Sequence, residues 1–331
     1  MTLPVLICDD SSFARKQMAR ALPDNWDVSL SFANNGVAAM DIIRQGQAEV
    51  LFLDLNMPEM DGYEVLECVR KEDLNTLVIV VSGDIQAEAR QRVKDLGAMD
   101  FIKKPVNKDE IHTILSEFGI LQLTDNANSN IIEDMQTDHF DFFKELANVS
   151  MGRGIDLLSR LLDVFIPMPI PEVKYITVNN LINTLKDIQH KDNITPICQG
   201  FIGDGIAGEV LLVFNKPELD DISRLMNIKG DITESIRMEF IMDISSVLSG
   251  ACLNGLSEQL DIAFNLGHPR VLGQHICIQD LVDNKESGSW TKTLAIEMVF
   301  VVEEHNLHCS LLLLFTEDSL EKLNNLVSYI S

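Results

Sequence analysis

The sequence predicts a chain of two regions, a doubly wound α/β region followed by an α+β region. Within the first 121 residues, short apolar runs alternate with amphipathic stretches five times, which is typical of a five-stranded parallel sheet with helices on both faces. After residue 138, a long helix followed by paired strands occurs twice. We therefore assign residues 1–121 and 138–331 to separate domains and residues 122–137 to a linker.

The elements of the first region follow from the length and periodicity of each apolar run. Strands are predicted at Val5–Cys8, Val28–Phe32, Val50–Leu53, Leu77–Val81 and Phe101–Lys103. Helices are predicted at Phe13–Leu22, Val37–Arg44, Tyr63–Arg70, Gln86–Leu96 and Asp109–Phe118. Ser11 and Ser12 can cap the first helix, and Gly97 ends the fourth.

Composition narrows the classes of function. The 331 residues are 46% hydrophobic and 23% charged, with a net charge of -25. This charge disfavours nucleic acid and anionic membrane surfaces as partners. The six cysteines are scattered without paired spacing, so we expect reduced thiols. No basic leader and no apolar run of about 20 residues is present, so we expect a cytoplasmic protein without membrane insertion.

Polar side chains follow four of the five predicted strands. Asp9 and Asp10 follow the first strand, Asp54 the third, Ser82 the fourth and Lys104 the fifth. One such Asp is commonly only a helix cap, and one Lys-Pro only a turn. Parallel strands, however, bring their carboxyl ends to the same edge of the sheet. Clustered carboxylates favour Mg²⁺, and a neighbouring hydroxyl and ammonium would suit a phosphoryl group.

Residues 1 to about 120 resemble a response-regulator receiver domain of the CheY type, which has a flavodoxin-like fold. The residues that carry the resemblance are Asp9-Asp10, Asp54 with the following MPEMDG, Ser82 and Lys104-Pro105. It implies that a sensor histidine kinase phosphorylates Asp54 in two-component or chemotaxis signalling.

The same resemblance assigns roles to the surrounding residues. It implies that Mg²⁺ is bound by Asp9, Asp10, Asp54 and the backbone carbonyl of Asn56. It also implies that Ser82 and Lys104 bind phosphoryl oxygens. Phe101 takes the position of a switch aromatic that is often Tyr in this family, so ring packing alone would report the phosphorylated state.

The segment between the two regions loses its periodicity and gains Asn, Ser, Thr and Asp. We predict a linker with one short turn at Ile131–Met135. A flexible linker of this length spans on the order of 20 to 24 Å, which would let the second region reach the strand-end edge of the first.

An internal repeat predicts a pseudo-twofold arrangement for the second region, with one continuous antiparallel sheet backed by helices. The first copy comprises a helix at Phe140–Leu162, an extended segment at Ile166–Val173, strands on both sides of Gly203–Gly205 and a closing helix at Glu218–Met226. The second copy comprises a helix at Glu239–Leu260, an extended segment at Pro269–Val271, strands at Leu294–Val302 and His308–Phe315 joined by Glu304–Asn306, and a closing helix at Ser319–Ile330.

The first helix of this region carries a polar motif. Asp141, Glu145 and Asn148 are four and three residues apart, so they share one face of the helix. Such a face on a surface helix is usually just solvated. The pattern Asp-xxx-Glu-xx-Asn within a duplicated domain nevertheless resembles the [D/S]xxxExxN signature of the CheC/CheX/FliY family of receiver phosphatases.

This second resemblance implies Mg²⁺-dependent hydrolysis of an aspartyl phosphate. Glu145 would pair with the lysine of a receiver, and Asn148 would orient the attacking water. In the second copy the corresponding residues, 98 positions further on, are Glu239, Asp243 and Ser246. The amide is replaced there, so we expect one working site per chain, at Glu145 and Asn148.

Three questions stay open from the sequence. The target is either a separate CheY-like receiver protein or Asp54 of the same chain. An alternative function is a phosphorylation-switched adaptor whose second region binds without useful catalysis. Self-association into a homodimer is a further alternative.

Overall fold

A computed structural model describes residues 2–121, 139–177, 180, 194–215, 233–271, 292–302 and 307–330. The predicted linker at 122–137, the closing helix at Glu218–Met226, the turn at Glu304–Asn306 and Cys277 lie outside the described residues. The chain divides into two units, residues 1–149 and residues 150–330. The linker and domain limits drawn from the sequence stay predictions.

The first unit contains the predicted five-stranded parallel sheet, in the strand order β2-β1-β3-β4-β5. The strands are β1 (Leu3–Cys8), β2 (Val28–Ala33), β3 (Val50–Leu53), β4 (Leu77–Ser82) and β5 (Asp100–Lys103). The helices are α1 (Ser12–Ala21), α2 (Gly36–Arg44), α3 (Gly62–Lys71), α4 (Ala87–Asp95) and α5 (Lys108–Glu117). All ten elements lie where the sequence predicts them, within a few residues at each end.

The central strand β3 shows why the sheet forms. All four of its residues are buried, and they alternate between two apolar cores: Leu51 and Leu53 pack into one, Val50 and Phe52 into the other. A strand buried on both faces needs a continuous apolar run, as in parallel sheets covered by helices. Burying each such side chain is worth about 1.5–3 kcal/mol, so β3 is a main source of stability for the unit.

Side-chain caps fix where the helices of this unit begin. The Ser11 hydroxyl accepts a hydrogen bond from the backbone N–H of Ala14 at 3.2 Å, which satisfies a donor that the first turn of α1 leaves free. Asp61 and Glu64 form a capping box at the start of α3. The Ser11 cap starts α1 close to the end of β1 and to Asp9 and Asp10, whereas α3 begins only after the loop that follows β3 and Asp54.

The second unit contains an antiparallel sheet with the strand order β10-β7-β8-β12-β11-β6, in which β9 also pairs with β7. The strands are β6 (Glu172–Thr177), β7 (Ile194–Gly203), β8 (Ile206–Asn215), β9 (Asn265–Leu266), β10 (Arg270–Val271), β11 (Lys292–Val302) and β12 (Leu307–Phe315). Asp204 and Gly205, both with positive φ, join β7 to β8 in the tight turn that the sequence predicts.

Three long helices are described after α5. They are α6 (His139–Leu162), α7 (Glu234–Leu260) and α8 (Glu317–Ile330). Helix α7 begins five residues before its predicted start because the Thr233 hydroxyl caps it, accepting from the N–H of Ile236 at 3.4 Å. The boundary between the two units falls inside α6, after Val149.

The antiparallel sheet and its helices agree with the predicted α+β class. The two hairpins, β7–β8 and β11–β12, meet through the pairing of β8 with β12. The pseudo-twofold arrangement stays a prediction, because the closing helix of the first copy is outside the described residues.

Within the described part of the chain, α7 is long and apolar enough to cross a membrane by length and composition. The sequence predicts a helix at Glu239–Leu260 but no continuous apolar run of membrane-spanning length, because polar residues interrupt this segment. In the structure, 61% of its most apolar window is buried inside the protein, which is what the core helix of a soluble protein would show. Membrane insertion therefore receives only weak support from this helix.

Candidate functional site

Three carboxylates meet at the carboxyl edge of the parallel sheet. The backbone N–H of Asp54 donates to the carbonyl of Cys8 at 2.9 Å, which sets the end of β3 beside the end of β1. As a result Asp9, Asp10 and Asp54 each offer an oxygen within 4.8 Å of the others. The sequence predicted this cluster from the strand ends alone.

Lys104 lies against the same cluster. Its backbone N–H donates to the Ser82 carbonyl at 2.9 Å, which ties the loop after β5 to the end of β4. Its ammonium Nζ lies 2.7 Å from Asp9 Oδ2 and 3.1 Å from Asp54 Oδ1. Lys104 and Asp54 each expose only 2% of their surface, so these ion pairs are shielded from solvent.

The carboxylates at this edge carry more negative charge than Lys104 neutralises. Burial raises the pKa of Asp54 to about 6, and Lys104 only partly offsets this effect. Burial, followed by repulsion from Asp9 and Asp54, raises the pKa of Asp10 to about 7. Burial alone would lower the pKa of Lys104, but Asp54, Asp9 and Glu145 raise it well above its ordinary value.

A hard divalent cation would relieve this repulsion. Asp9, Asp10 and Asp54 supply only oxygen ligands, the donor type that Mg²⁺ prefers. The three residues therefore fit the predicted magnesium site.

The remaining residues predicted for this edge lie on or directly after β3, β4 and β5. Ser82 is fully buried, and its hydroxyl accepts from the backbone N–H of Asp84 at 3.1 Å. The backbone N–H of Asn56 donates to Asp54 Oδ2 at 3.0 Å. Phe101 is 9% exposed, and the guanidinium carbon of Arg90 lies 5.1 Å from its ring centroid. Arg90 was not predicted, since a surface arginine on an amphipathic helix carries no sequence signal of a ring contact.

Glu145, on the first half of α6, reaches the same lysine. Its Oε2 lies 3.3 Å from Lys104 Nζ, and the residue is 3% exposed. Burial raises the pKa of Glu145 to about 8, while Lys104 pulls it down. One ammonium is thus shared by Asp9, Asp54 and Glu145.

Asn148, one turn further along α6, is also buried, with 6% of its surface exposed. Its side-chain oxygen Oδ1 has no hydrogen-bond partner among the residues that the structure describes. A buried amide oxygen without a partner is costly, and a water molecule or ligand is the expected remedy. Asn148 therefore offers an available acceptor close to the strand ends, since its backbone lies against Gly83 at the end of β4.

The start of α6 adds contacts that the sequence did not predict. The Ser12 hydroxyl donates to Asp141 Oδ2 at 2.6 Å. The rings of Phe13 and Phe142 meet edge to face, with centroids 4.9 Å apart. Ser12 was recognised only as a helix-capping candidate, and Phe13 only as an apolar residue of α1. The sequence could have suggested only that Asp141, as a member of the motif, accepts a hydrogen bond; it does not indicate Ser12 as the donor.

The second copy of the motif has different surroundings. Glu239, Asp243 and Ser246 are exposed on α7. The hydroxyl of Ser246 donates to the carbonyl of Met242 in its own helix at 2.9 Å. The hydroxyl of Ser246 is therefore hydrogen-bonded within its own helix, whereas Oδ1 of Asn148 has no partner among the described residues.

Comparison with known proteins supports the assignment of the first region. Residues 5–116 match the family model described as the response regulator receiver domain. A protein-glutamate methylesterase/protein-glutamine glutaminase of Treponema pallidum is 34% identical over 113 residues, covering 33% of this chain and 28% of that protein. The sensor histidine kinase RcsC of Escherichia coli is 31% identical over 115 residues, 35% of this chain and 12% of that protein.

Similar solved structures fall into two groups. The receiver domain of a NarL regulator from Mycobacterium tuberculosis has a TM-score of 0.33 and 29% identity, and the match covers 35% of this chain and 95% of that one. FliY of Thermotoga maritima has a TM-score of 0.44 and 18% identity, and the match covers 60% of this chain and all of that one.

The matches to these two curated relatives cover about a third of the chain, and the chain spans 28% and 12% of their respective lengths. Receiver domains accept phosphoryl groups from histidine kinases and bind Mg²⁺ at an acidic site of this kind. The family match over residues 5–116 and the five-stranded parallel sheet lead to one conclusion: the amino-terminal region of this chain is a CheY-like response-regulator receiver domain.

Proposed function

We propose that this chain is a two-component or chemotaxis signalling protein that accepts a phosphoryl group on Asp54 and hydrolyses aspartyl phosphate on a receiver domain. In this proposal a sensor histidine kinase is the donor. Residues 138–331 form a CheC-like phosphatase domain with an internal duplication. The domain limits, the cytoplasmic location and the duplication belong to the proposal.

Phosphorylation of Asp54 requires a nucleophilic carboxylate and a means of neutralising the incoming charge. Mg²⁺ bound by Asp9, Asp10, Asp54 and the Asn56 carbonyl would supply positive charge for the phosphoryl oxygens. Lys104, already 3.1 Å from Asp54 Oδ1, would bind a phosphoryl oxygen together with Ser82. Phe101 would sense the change through its packing.

One observation carries the phosphatase assignment. Glu145 Oε2 lies 3.3 Å from the ammonium of Lys104, the same group that contacts Asp54. Such a contact would let a phosphatase helix recognise a receiver, because the lysine marks the phosphorylation site and a hydrogen bond from its ammonium to Glu145 fixes the register of the helix. Asn148 is one turn away on the same helix face, and its backbone lies against Gly83 at the end of β4, which supports a role beside the phosphoryl group.

Asn148 is the residue that we expect to be catalytic. An aspartyl phosphate is already activated by its carboxylate leaving group, so hydrolysis chiefly needs a water held in line with the P–O bond. The amide of Asn148 can both accept from and donate to that water. Its Oδ1 atom has no partner within the described residues, which leaves that acceptor available.

A second candidate function is an adaptor that binds a receiver without useful hydrolysis. The observation that favours it is the burial of Asp54 and Lys104, each only 2% exposed. In an adaptor, α6 would bind the unphosphorylated receiver, and phosphorylation of Asp54 would release α6. This alternative needs no catalytic role for Asn148.

Release of inorganic phosphate separates the two candidates. The full chain is incubated with Mg²⁺ and acetyl phosphate, alone and with a separate CheY-type receiver. We expect the Asn148→Ala variant to release phosphate at least about tenfold more slowly than the wild-type chain in at least one condition. Equal release by both proteins in both conditions would contradict the phosphatase and favour the adaptor.

A further inference from the structure

We infer that the substrate of the α6 motif is the phosphoryl group on Asp54 of the same chain. This inference rests on the proposed function and adds the identity of the target. The sequence left both targets open, a separate receiver and the chain's own, and slightly favoured the separate one. The contacts of the first unit, residues 1–149, favour the chain's own receiver.

The contacts of Lys104 favour the receiver of the same chain as the target. Its ammonium lies 2.7 Å from Asp9, 3.1 Å from Asp54 and 3.3 Å from Glu145. All four groups belong to this one chain, and each is at least nine-tenths buried. The motif glutamate is therefore already seated at the phosphorylation site of its own receiver.

The start of α6 also contacts the receiver. Asp141 accepts from the Ser12 hydroxyl at 2.6 Å, and its backbone carbonyl accepts from the Ser11 hydroxyl at 3.4 Å. Phe142 packs edge to face on Phe13. Polar and aromatic contacts on successive turns fix both the rotation and the position of the helix, which a single ion pair could not do.

Gly83, which has no side chain, lies directly against α6. A Cβ atom built there would lie 3.2 Å from the carbonyl oxygen of Asn148 and 3.5 Å from the Cα of Val149. A larger residue at this position would push the helix away from the strand ends. This receiver thus has the space that its own α6 occupies, and Gly83 acts as a specificity-determining position.

The reaction is a simple hydrolysis. A water oxygen forms a bond to phosphorus, the P–O bond to Asp54 breaks, and its electron pair stays on the Asp54 carboxylate. Both protons of the water leave with the phosphate as dihydrogen phosphate, so no other reactant is needed. Asn148 orients the water, and Lys104 is shared by Glu145 and the phosphoryl oxygens.

A mixing experiment with two full-length variants tests the inference. The first variant, Asn148→Ala, keeps Asp54 and is phosphorylated with acetyl phosphate. The second, Asp54→Asn, keeps Asn148 but accepts no phosphoryl group. We expect the phosphoryl group on Asn148→Ala to survive at least about tenfold longer than on the wild-type chain. We expect added Asp54→Asn protein to leave that lifetime unchanged, because its motif is occupied by its own receiver.

Two outcomes would overturn the inference in different ways. If Asp54→Asn protein restores fast decay to the Asn148→Ala chain, hydrolysis occurs between chains. If wild-type and Asn148→Ala chains lose their own phosphoryl group equally fast, while only the wild type accelerates decay on a separate CheY-type receiver, the target is another protein. In both cases the phosphatase function stands. If Asn148→Ala changes neither decay, the phosphatase function itself fails.

A substitution outside the motif provides a second test. Gly83→Val should weaken the seating of α6 without altering Glu145 or Asn148. We expect it to lengthen the phosphoryl lifetime when Asn148 is present and to have little effect in the Asn148→Ala background, which controls for any change in the receiver itself. An equal effect in both backgrounds would contradict a contact with α6.

Discussion

Helices α6 and α7 each carry three polar residues spaced four and three positions apart, but the surroundings of these residues differ. On α6, Glu145 and Asn148 are 3% and 6% exposed, and Glu145 contacts Lys104. On α7, Asp243 and Ser246 are exposed, and the Ser246 hydroxyl is bonded within its own helix. The same spacing places the polar side chains on one face of each helix, but a candidate site forms only where that face contacts other residues, as Glu145 contacts Lys104.

The largest effect is expected from making α6 resemble α7. Asn148→Ser copies Ser246 into the first motif, and a serine hydroxyl is shorter and can turn back to its own helix as Ser246 does. We expect the phosphoryl lifetime of the full chain to increase roughly 10- to 100-fold, since misplacing one reacting group costs about this much. The readout is decay of phospho-Asp54 after removal of the donor. Ser246→Ala is the matched control and should decay like the wild type; a slow Ser246→Ala chain would contradict the comparison.

A smaller effect is expected from shortening the acid. Glu145→Asp copies Asp243 and withdraws the carboxylate by about 1.5 Å, one carbon–carbon bond, from its 3.3 Å contact with Lys104. We expect a roughly tenfold longer phosphoryl lifetime, because the register of α6 loosens while Asn148 is retained. The reciprocal change Asp243→Glu should have no effect. If Glu145→Asp decays at the wild-type rate, the contact with Lys104 is dispensable.

Glu145 should also make the stability of the protein depend on pH. The pKa of Glu145 is raised from 4.5 to about 8, chiefly by burial, so the folded protein favours its protonated form. Its contribution to stability is therefore present below pH 4.5 and is lost as the pH rises through 8. In Mg²⁺-free buffer we expect the unfolding temperature of the wild type to fall from pH 5 to pH 8, by about 2–4 °C for each kcal/mol lost.

Glu145→Gln should reduce this fall, while the control Asp243→Asn, at an exposed position, should reproduce the wild-type profile. Part of the slope will persist in Glu145→Gln, because burial also raises the pKa of Asp54 and of Asp10. Identical profiles for wild type and Glu145→Gln would show that Glu145 is not buried against Lys104.

The smallest effect is expected at the start of the helix. Ser12→Ala removes the 2.6 Å hydrogen bond to Asp141. This bond is only partly buried and orients the helix without touching the phosphoryl group, so we expect a roughly twofold to fivefold longer lifetime. Glu239→Ala, at the corresponding position of α7, should change nothing. A Ser12→Ala effect as large as that of Asn148→Ser would mean that Asp141 does more than orient α6.

Much of the receiver site could be predicted because a simple rule connects sequence to position there. Parallel strands end at a common edge, so Asp9, Asp54 and Lys104 had to converge once the strands were recognised. The caps of α1 and α3 likewise depend on residues three positions apart. Local patterns of this kind leave a clear trace in the sequence.

The environment of α6 could not be predicted in the same way. Ser12 and Asp141 are 129 residues apart, and no periodicity links them. The burial of Glu145 and the exposure of Asp243 arise from tertiary packing, since both acids occupy the same place in their three-residue motifs. Resemblance to a phosphatase family implied a lysine partner for Glu145, but the identity of that lysine as Lys104 came only from the structure.

The most direct test of the account is the decay rate of phospho-Asp54 in wild-type and Asn148→Ala chains over an about hundredfold range of protein concentration. A tethered site predicts that the wild-type rate is roughly 10- to 100-fold faster than that of Asn148→Ala and does not change with concentration. Equal rates for the two proteins, or a wild-type rate that rises in proportion to concentration, would contradict hydrolysis of Asp54 by its own chain.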